Sequence, residues 1–170
     1  MLILAHSLRE LRFGALMGVY LQGNQEKAER DYPEEPAGAG LRLAEEDFYR
    51  YLRECFFRTP GAAYAVWEEG GSYVSALRLE PYRDGVLVNA LETAPQQRRK
   101  GYASRLLEAV LGTLDGPVYS HVAKSNLPSL ALHERLGFRR IQETALYLDG
   151  SLDHRACTLR WMREESGQER

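Results

Sequence analysis

The amino-acid sequence predicts an α/β fold: a mixed, mostly antiparallel sheet of six to seven strands flanked by helices. Three observations predict it. Short runs of β-type residues are separated by Gly-containing turns, other segments carry apolar residues at helical spacing, and strands alternate with helices in the second half of the chain. The 170 residues suit one domain with its own hydrophobic core, and we find no internal repeat or linker that would divide them.

The N-terminal third of the chain is predicted to be mainly helical. Residues 1–5 suit a short edge strand, and Ser7 with Glu10 forms a capping-box pattern that opens a helix running to about Arg30. Prolines and glycines are concentrated in residues 31–40, so we expect a loop there.

A second helix is predicted over residues 43–57. Cys55 falls on its apolar face with Phe48 and Leu52, so we expect the thiol in the core. Cys157 lies in an apolar strand segment. Two such cysteines make neither a disulfide framework nor a zinc site, and we expect no metal.

The remaining strands are marked by turn residues between apolar runs. Three strands are predicted close together, separated by Gly70-Gly71 and Asp84-Gly85, over residues 62–68, 73–79 and 86–91. Three more are predicted, with Asp149-Gly150 between the last two, over residues 118–123, 139–148 and 154–161. The polar residues after Arg163 are expected to form a frayed tail.

Charge and hydropathy exclude several function classes. The net charge of −2 and the sequence pI of about 6.1 argue against general nucleic-acid binding, which usually needs a basic domain. No apolar run approaches the roughly 18 residues of a membrane span. The first five residues are too short and lack the basic start of a signal peptide, so a cytoplasmic protein is expected.

Residues 95–104 carry the most specific pattern in the chain. They join the predicted strand 86–91 to a helix with apolar residues at i, i+3, i+4 and i+7 spacing. A Gly-containing turn of this kind leaves backbone N–H groups free at the helix start, where they can bind phosphate oxygens. Gly101 and Ala103 are small enough for close approach, and the cations at 98–100 add positive charge. The alternative is a tight turn with solvated cations.

A second pattern lies in residues 125–138. Asn126 or Leu127 suits the N-cap of a short helix, Pro128 suits its first turn, and Gly137 suits the left-handed residue that ends it. This helix follows the predicted strand 118–123.

Together the two patterns resemble the GNAT superfamily of N-acetyltransferases. That family's phosphate-loop motif, Gln/Arg-x-x-Gly-x-Gly/Ala, matches residues 98–103. Its later motif, Asn followed seven residues on by Tyr-Glu-x-Leu-Gly-Phe, matches Asn126 and residues 133–138, with His133 at the tyrosine position. The resemblance implies one domain over 1–170, with a motif-bearing core at 62–161, divergent acceptor-side helices at 1–60, and acyl-CoA in a cleft between two splayed strands.

The resemblance also implies which residues contact acetyl-CoA. Backbone amides of the phosphate loop bind the pyrophosphate, and an amide at the end of the preceding strand bonds the thioester oxygen. The implied contacts are Leu91, Glu92, Thr93, Arg98, Arg99, Lys100, Gly101, Tyr102, Ala103, Ser104 and Asn126. Asn126 can equally be a plain helix cap.

Acetyl transfer also needs groups that handle protons. The resemblance implies that His133 is the general acid for the departing thiolate, although a histidine bonded to a backbone carbonyl is the alternative. Glu92 and His121 are the candidate general bases, and bulk water taking the proton is a third reading. Some relatives keep a base at each of these two positions.

The function implied is transfer of an acetyl group from acetyl-CoA to a primary amine of a small molecule or peptide, by direct attack in a ternary complex. The alternative is an acyl-CoA-binding module with a regulatory or partner-binding role and little turnover. A homodimer would match many relatives. Acidic residues could attract a cationic acceptor, or simply favour a helix dipole, at Glu34, Glu35, Glu45, Glu46 and Asp47.

Overall fold

A seven-stranded sheet with helices on both faces organises residues 1–163, which are the residues that the computed structural model describes. The strands are β1 (Leu2–Ala5), β2 (Ala63–Glu69), β3 (Ser72–Tyr82), β4 (Gly85–Thr93), β5 (Val118–Ala123), β6 (Arg139–Gln142), β7 (Ala145–Leu146), β8 (Leu152–Asp153) and β9 (Ala156–Trp161). The α-helices are α1 (Phe13–Val19), α2 (Leu21–Asp31), α3 (Ala37–Glu54), α4 (Tyr102–Thr113) and α5 (Leu127–Arg135).

The strand order is β1-β2-β3-β4-β5-β9-β6, and β7 with β8 forms a separate small ladder. Every neighbouring pair in the large sheet is antiparallel except β4 and β5, which run parallel. The predicted fold class, a mixed and mostly antiparallel sheet with flanking helices, is therefore confirmed.

Two hydrophobic cores lie on opposite faces of this sheet. The first face, here the α4–α5 face, packs Leu106, Leu107 and Val110 of α4 against strand residues such as Leu77 and Val122. The opposite face, here the α1–α3 face, packs residues of the first three helices against strand residues such as Tyr64, Val66 and Ala76. Side chains of consecutive strand residues alternate between these two faces.

The parallel pair β4–β5 separates partway along its length. Pairing runs only over residues 86–88 of β4 and 118–120 of β5. Just beyond, β4 bulges at Ala90, whose φ of +51° is in the left-handed region, and the Asn89 side-chain oxygen accepts the Ala90 N–H at 2.8 Å. Bulges bend a strand and end its pairing. The two strands therefore part and leave a cleft between them.

The predicted helix from Ser7 to Arg30 is wrong. Ser7 makes no cap bond to the backbone, because its hydroxyl donates to the Glu10 carboxylate, and only a short 3-10 turn forms at residues 8–10. The chain then extends through Arg12, and α1 and α2 are divided at Tyr20. The Tyr20 hydroxyl donates to the Ala90 carbonyl at 2.7 Å, so this helix break is tied to the bulge of β4.

The loop predicted over residues 31–40 is shorter, because α3 already begins at Ala37. Gly40 packs against α2, where an added Cβ would lie 3.5 Å from that of Ala28. Small residues here allow two helices to approach closely. The helix also ends earlier than predicted, at Glu54, which leaves Cys55 exposed and gives the core position to Phe56. The prediction of a core thiol at Cys55 is wrong.

The strand predicted over 139–148 is divided into β6 and β7. Asp149-Gly150 turns the chain between β7 and β8. The predicted frayed tail lies outside the described residues. No helix within residues 1–163 has both the length and the apolar character needed to cross a membrane.

Candidate active site

The cleft between β4 and β5 has a volume of about 170 Å³. Its walls come from the ends of both strands and the first turns of α5. Among the residues implied by sequence, it brings together Leu91, His121, Asn126 and His133. A larger groove of about 680 Å³ between α5, β6 and β9 contains none of the implied residues. The chemistry-bearing side chains therefore mark the cleft, although it is the smaller cavity.

The phosphate-loop pattern forms the N-terminus of α4. Gly101 is the N-cap and has φ +81°, a conformation that favours glycine. No side chain caps the helix, so the first-turn amides have no such partner within the described residues. A Cβ added at Gly101 would meet nothing within 4 Å, so the space beside these amides is open. Uncapped amides and open space are what a phosphate group requires.

The three cations of this loop have different surroundings. Arg98 donates to the Gln22 side chain at 2.6 Å and lies 3.8 Å from the Glu92 carboxylate, so it joins the loop to α2 and β4. Lys100 donates to Gln97 at 2.9 Å. Arg99 is exposed and has φ +64°.

The end of β4 is held by β3. The Ser75 hydroxyl donates to the Glu92 carbonyl at 2.7 Å and lies 3.2 Å from the Thr93 hydroxyl. The side chain of Glu92 is 46% exposed. Partial desolvation raises the pKa of the Glu92 carboxyl, and the Arg98 charge opposes that shift. Glu92 pairs across the sheet with Ala76, so its side chain lies on the α1–α3 face.

The N-cap of α5 is Asn126, one of the two residues that the sequence predicted for this position. Its side-chain oxygen accepts the Ser129 N–H at 3.2 Å, while the residue also lines the cleft. Gly137 follows α5 with φ +93°, the left-handed conformation predicted for it.

His133 is buried, with 2% of its surface exposed. Its Nδ1 lies 2.8 Å from the Ser129 carbonyl oxygen, and its Nε2 lies 2.9 Å from the Ser120 hydroxyl. Because a carbonyl only accepts, this network assigns the proton of the neutral ring to Nδ1, and Nε2 then accepts from Ser120. Burial lowers the pKa of His133, against a raising effect from the bond to Ser129.

His121 lies on the other face of β5. Its Nε2 is 3.3 Å from the Tyr82 hydroxyl, whose own hydrogen is donated to the Leu146 carbonyl at 2.6 Å. The Tyr82 oxygen therefore accepts, which assigns the ring proton of His121 to Nε2 and leaves a lone pair on Nδ1. That Nδ1 is buried without a partner within residues 1–163. Burial, and then the Arg83 charge, lower the pKa of His121.

Ser120 is the cleft residue that sequence reasoning missed. It is 3% exposed and lies between Val118 and Val122 on the apolar face of β5. A lone serine on an otherwise apolar strand face was the available signal. Its partner could not be read from the sequence, because His133 is thirteen residues away on the next helix.

Among residues 1–163, no group of three or more His, Cys, Asp or Glu side chains is placed to hold a metal ion.

Comparison with known proteins identifies one matching family model and solved structures with a similar fold. The family model described as "Acetyltransferase (GNAT) family" matches residues 25–138. No curated protein matches the chain. Among solved structures, the ribosomal-protein-S18-alanine N-acetyltransferase from Escherichia coli is 18% identical, with a TM-score of 0.61 over 100% of this chain and 99% of that one.

Two further similar structures hold coenzyme A or acetyl-CoA. The PaiA N-acetyltransferase from Thermoplasma acidophilum, in complex with coenzyme A, is 10% identical, with a TM-score of 0.58 over 95% of this chain and 99% of that one. A GNAT family acetyltransferase from Elizabethkingia anophelis with acetyl-CoA bound is 14% identical, with a TM-score of 0.53 over 69% of this chain and 82% of that one. At these identities the similarity establishes the fold alone.

Proposed function

Because the chain belongs to the GNAT acetyltransferase family, we propose that it transfers an acetyl group from acetyl-CoA directly to a primary amine of a small molecule or peptide. The observation that carries this proposal is the parting of β4 from β5 beside the uncapped N-terminus of α4. A cleft of this kind can hold an extended thioester arm whose phosphates bind at the helix end.

The loop and the end of β4 hold the co-substrate in this proposal. The amides of Gly101 to Ser104 bind the pyrophosphate, and Arg99 adds charge. The backbone of Leu91 to Thr93 borders the pantetheine arm, where one N–H polarises the thioester carbonyl. Asn126 contacts the same arm while its side-chain oxygen caps α5.

The attacking amine needs a proton acceptor, and the hydrogen bonds around His121 supply one. Its Nδ1 has a free lone pair, and its lowered pKa keeps the ring neutral at physiological pH. Forming the C–N bond releases one proton from the amine, which His121 takes. Glu92, half exposed at the end of β4, contributes negative charge that attracts the ammonium form and is the alternative base.

His133 supplies a proton to the departing thiolate by way of the Ser120 hydroxyl. In the neutral ring, Nε2 holds the Ser120 hydroxyl hydrogen away from the cleft. When His133 is protonated, Nε2–H passes to the Ser120 oxygen as the Ser120 hydrogen passes to the sulfur, which gives CoA thiol and neutral His133. Between turnovers His133 takes up a proton from solvent and His121 gives one up to it. A thiolate forming nearby favours the imidazolium and so opposes the effect of burial. His133 is thus a positioning and proton-supplying residue, and Ser120 touches the leaving group.

The cysteines take no part in this route. Cys157 is buried and donates to the Val122 carbonyl at 3.5 Å, and Cys55 is exposed after α3. Neither lines the cleft. We therefore expect no acyl-enzyme, and intact-mass measurement after incubation with acetyl-CoA alone should show an unmodified chain.

The test is release of CoA thiol from acetyl-CoA with a panel of primary amines and short peptides, combined with mass detection of the acetylated product. We expect turnover of at least one amine and saturable binding of CoA. If CoA binds but no amine is acetylated, the chain is an acyl-CoA-binding module. If CoA does not bind, the assignment of the phosphate loop is wrong as well.

A further inference from the structure

Unpartnered polar atoms are concentrated on one face of the sheet. Among residues 1–163, four buried side-chain atoms lack a hydrogen-bond partner, and they belong to Tyr64, Arg78, His121 and Arg160. Tyr64 is directly opposite Arg78, and Arg160 is directly opposite Tyr119, which shares a face with His121. Buried polar atoms are normally paired, so such a cluster requires an explanation.

The four residues share the α1–α3 face. Arg78 and Tyr82 are four residues apart on β3, so their side chains lie on the same face. The Tyr82 ring contacts both Tyr119 and His121, with ring centroids 5.3 and 5.4 Å away. Arg78 is also opposite Asn89, the residue at which β4 begins to leave β5. Arg78 therefore lies on the same face as His121, the proposed base. The two residues are two strand spacings, or ~10 Å, apart across the sheet.

Arg78 has aromatic contacts but no anionic partner. Its guanidinium carbon lies 5.2 Å from the Tyr51 ring centroid and 6.0 Å from that of Phe56. Within the described residues, no carboxylate lies within ion-pair distance of it. This includes the carboxylate of Glu80, a buried residue two positions after Arg78 on the same face of β3. These aromatic contacts hold the guanidinium without occupying its N–H groups, and its buried Nε–H has no acceptor within residues 1–163, so the group can still donate to a planar anion.

From this arrangement we propose that Arg78 binds the carboxylate of the acceptor, so that the acceptor is an amino acid or a similar zwitterionic amine. This deepens the proposed function and rests on it. The ammonium lies toward Glu92 and His121, and the carboxylate lies toward Arg78. A single guanidinium matches one monoanion bidentately, and the negative charge of Glu80 and Glu92 on this face disfavours a dianion such as a phosphate monoester.

The first experiment measures kcat/KM by thiol release for a panel of amino acids, each compared with its primary amide and its decarboxylated amine. We expect the parent protein to prefer the amino acid by about 10- to 100-fold, the range of a charge-assisted hydrogen bond. Arg78→Met should remove that preference and leave the amide within about threefold, and Arg78→Lys should restore part of it. Arg53→Met, an exposed arginine on α3, is the matched control.

Equal turnover of amides and amino acids, or an unchanged preference in Arg78→Met, would overturn the inference and leave the acetyltransferase function standing. A matched aminoalkylphosphonate that outcompetes the amino acid would overturn the carboxylate assignment.

The second experiment does not depend on turnover. Calorimetric titration of the CoA-saturated protein with the same amino acids should show binding that Arg78→Met weakens about 10-fold or more and Arg53→Met does not. Binding that requires Arg78, with no acetylated product, would support this site while the proposed transfer fails. No binding of any amino acid, or binding that Arg78→Met leaves unchanged, contradicts the proposal.

Discussion

On the α4–α5 face of the sheet the buried polar side chains of the cleft are hydrogen-bonded to one another, whereas on the α1–α3 face several have no partner within residues 1–163. His133 shows the first situation, with both ring nitrogens bonded within the protein. His121, which directly follows Ser120 on β5 and lies on the opposite face, shows the second, because its buried Nδ1 has no partner within residues 1–163. Burial lowers the pKa of both rings.

This difference in hydrogen bonding suits the two histidines to different chemical roles. A ring that is paired on both sides can hold a neighbour such as Ser120 in position, but it gains or loses a proton only when that network changes. A ring whose Nδ1 lone pair has no partner can accept a proton without first breaking a hydrogen bond. The paired face therefore suits the departing thiolate, and the unpaired face suits the acceptor, whose polar groups would complete it.

The largest effect is expected where the paired face meets the phosphates. Gly101→Val should weaken CoA binding by about 100-fold or more, because its Cβ would occupy the open space at the first amides of α4 and because a β-branched residue is strained at φ +81°. Calorimetry measures the affinity.

Gly70→Val is the matched control for backbone strain. Gly70 also has positive φ, +56°, and open space around it, but it lies in the β2–β3 turn. If both variants bind CoA as the parent does, the phosphate site is elsewhere.

The next effect tests the pairing of Ser120 with His133. His133→Phe should lower kcat about 10- to 100-fold, at the low end of acid–base contributions because a CoA thiolate is a fair leaving group. Ser120→Ala should act in the same direction, and the double variant should be no slower than the worse single one, because the two act as a unit.

His133→Tyr should recover part of the rate, since a phenol at this position can donate to the Ser120 hydroxyl in place of the protonated imidazole. The KM for acetyl-CoA should change less than kcat in these variants, because the proton is needed late in the reaction. A parental kcat in His133→Phe across pH 6 to 9 would make His133 a structural residue.

On the unpaired face, His121→Asn should lower kcat about 10-fold or more, and Glu92→Gln by less. A base must be unprotonated to act, and its lowered pKa keeps His121 in that form down through the ordinary imidazole value of about 6.5. The parental kcat should therefore show an acid-side fall below that pH, and His121→Asn should lose that fall. His154→Asn, an exposed histidine, is the control. A larger loss in Glu92→Gln would identify the carboxylate as the base.

The smallest effect is on stability. A histidine whose pKa is lowered by folding takes up its proton more readily when unfolded, so stability is full above about pH 6.5 and falls as pH drops through that value toward the folded pKa. Tm should decrease between pH 7.5 and 5.5, by roughly 2–4 °C for each kcal/mol lost.

His133→Phe and His121→Asn should each flatten this decrease. Carboxylates such as Asp47, whose pKa is lowered by Tyr32 and Lys27, titrate below this window and do not contribute to it. An identical slope in the parent and in both variants would mean that neither buried ring resists protonation.

Much of the fold, including the backbone of the proposed phosphate loop, could be predicted because its signals are local. Gly101 and Gly137 occupy the left-handed positions that their places in the sequence predicted, and Asn126 caps α5. The Asp84-Gly85 turn joins β3 to β4 as expected. Each of these depends on backbone angles and hydrogen bonds within a few residues.

The N-terminal helices were predicted less well, and the reason is tertiary contact. Tyr20, at the break between α1 and α2, donates its hydroxyl hydrogen to the Ala90 carbonyl, seventy residues away. α3 begins at Ala37 and includes two of the glycines that suggested a loop, and one of these, Gly40, packs against Ala28 of α2. Cys55 was placed in the core because it continues the apolar pattern of α3, but the helix ends at Glu54, one residue before it.

The sequence by itself determined the strand–loop–helix pattern of the proposed phosphate site and the family to which the chain is similar, because turn chemistry and hydrophobic period depend on consecutive residues. Only the tertiary structure decided which polar side chains are paired. The bond between Ser120 and His133, the open Nδ1 of His121 and the unpartnered guanidinium of Arg78 all arise from strand register and helix packing. These are relations between distant segments, and no local pattern encodes them.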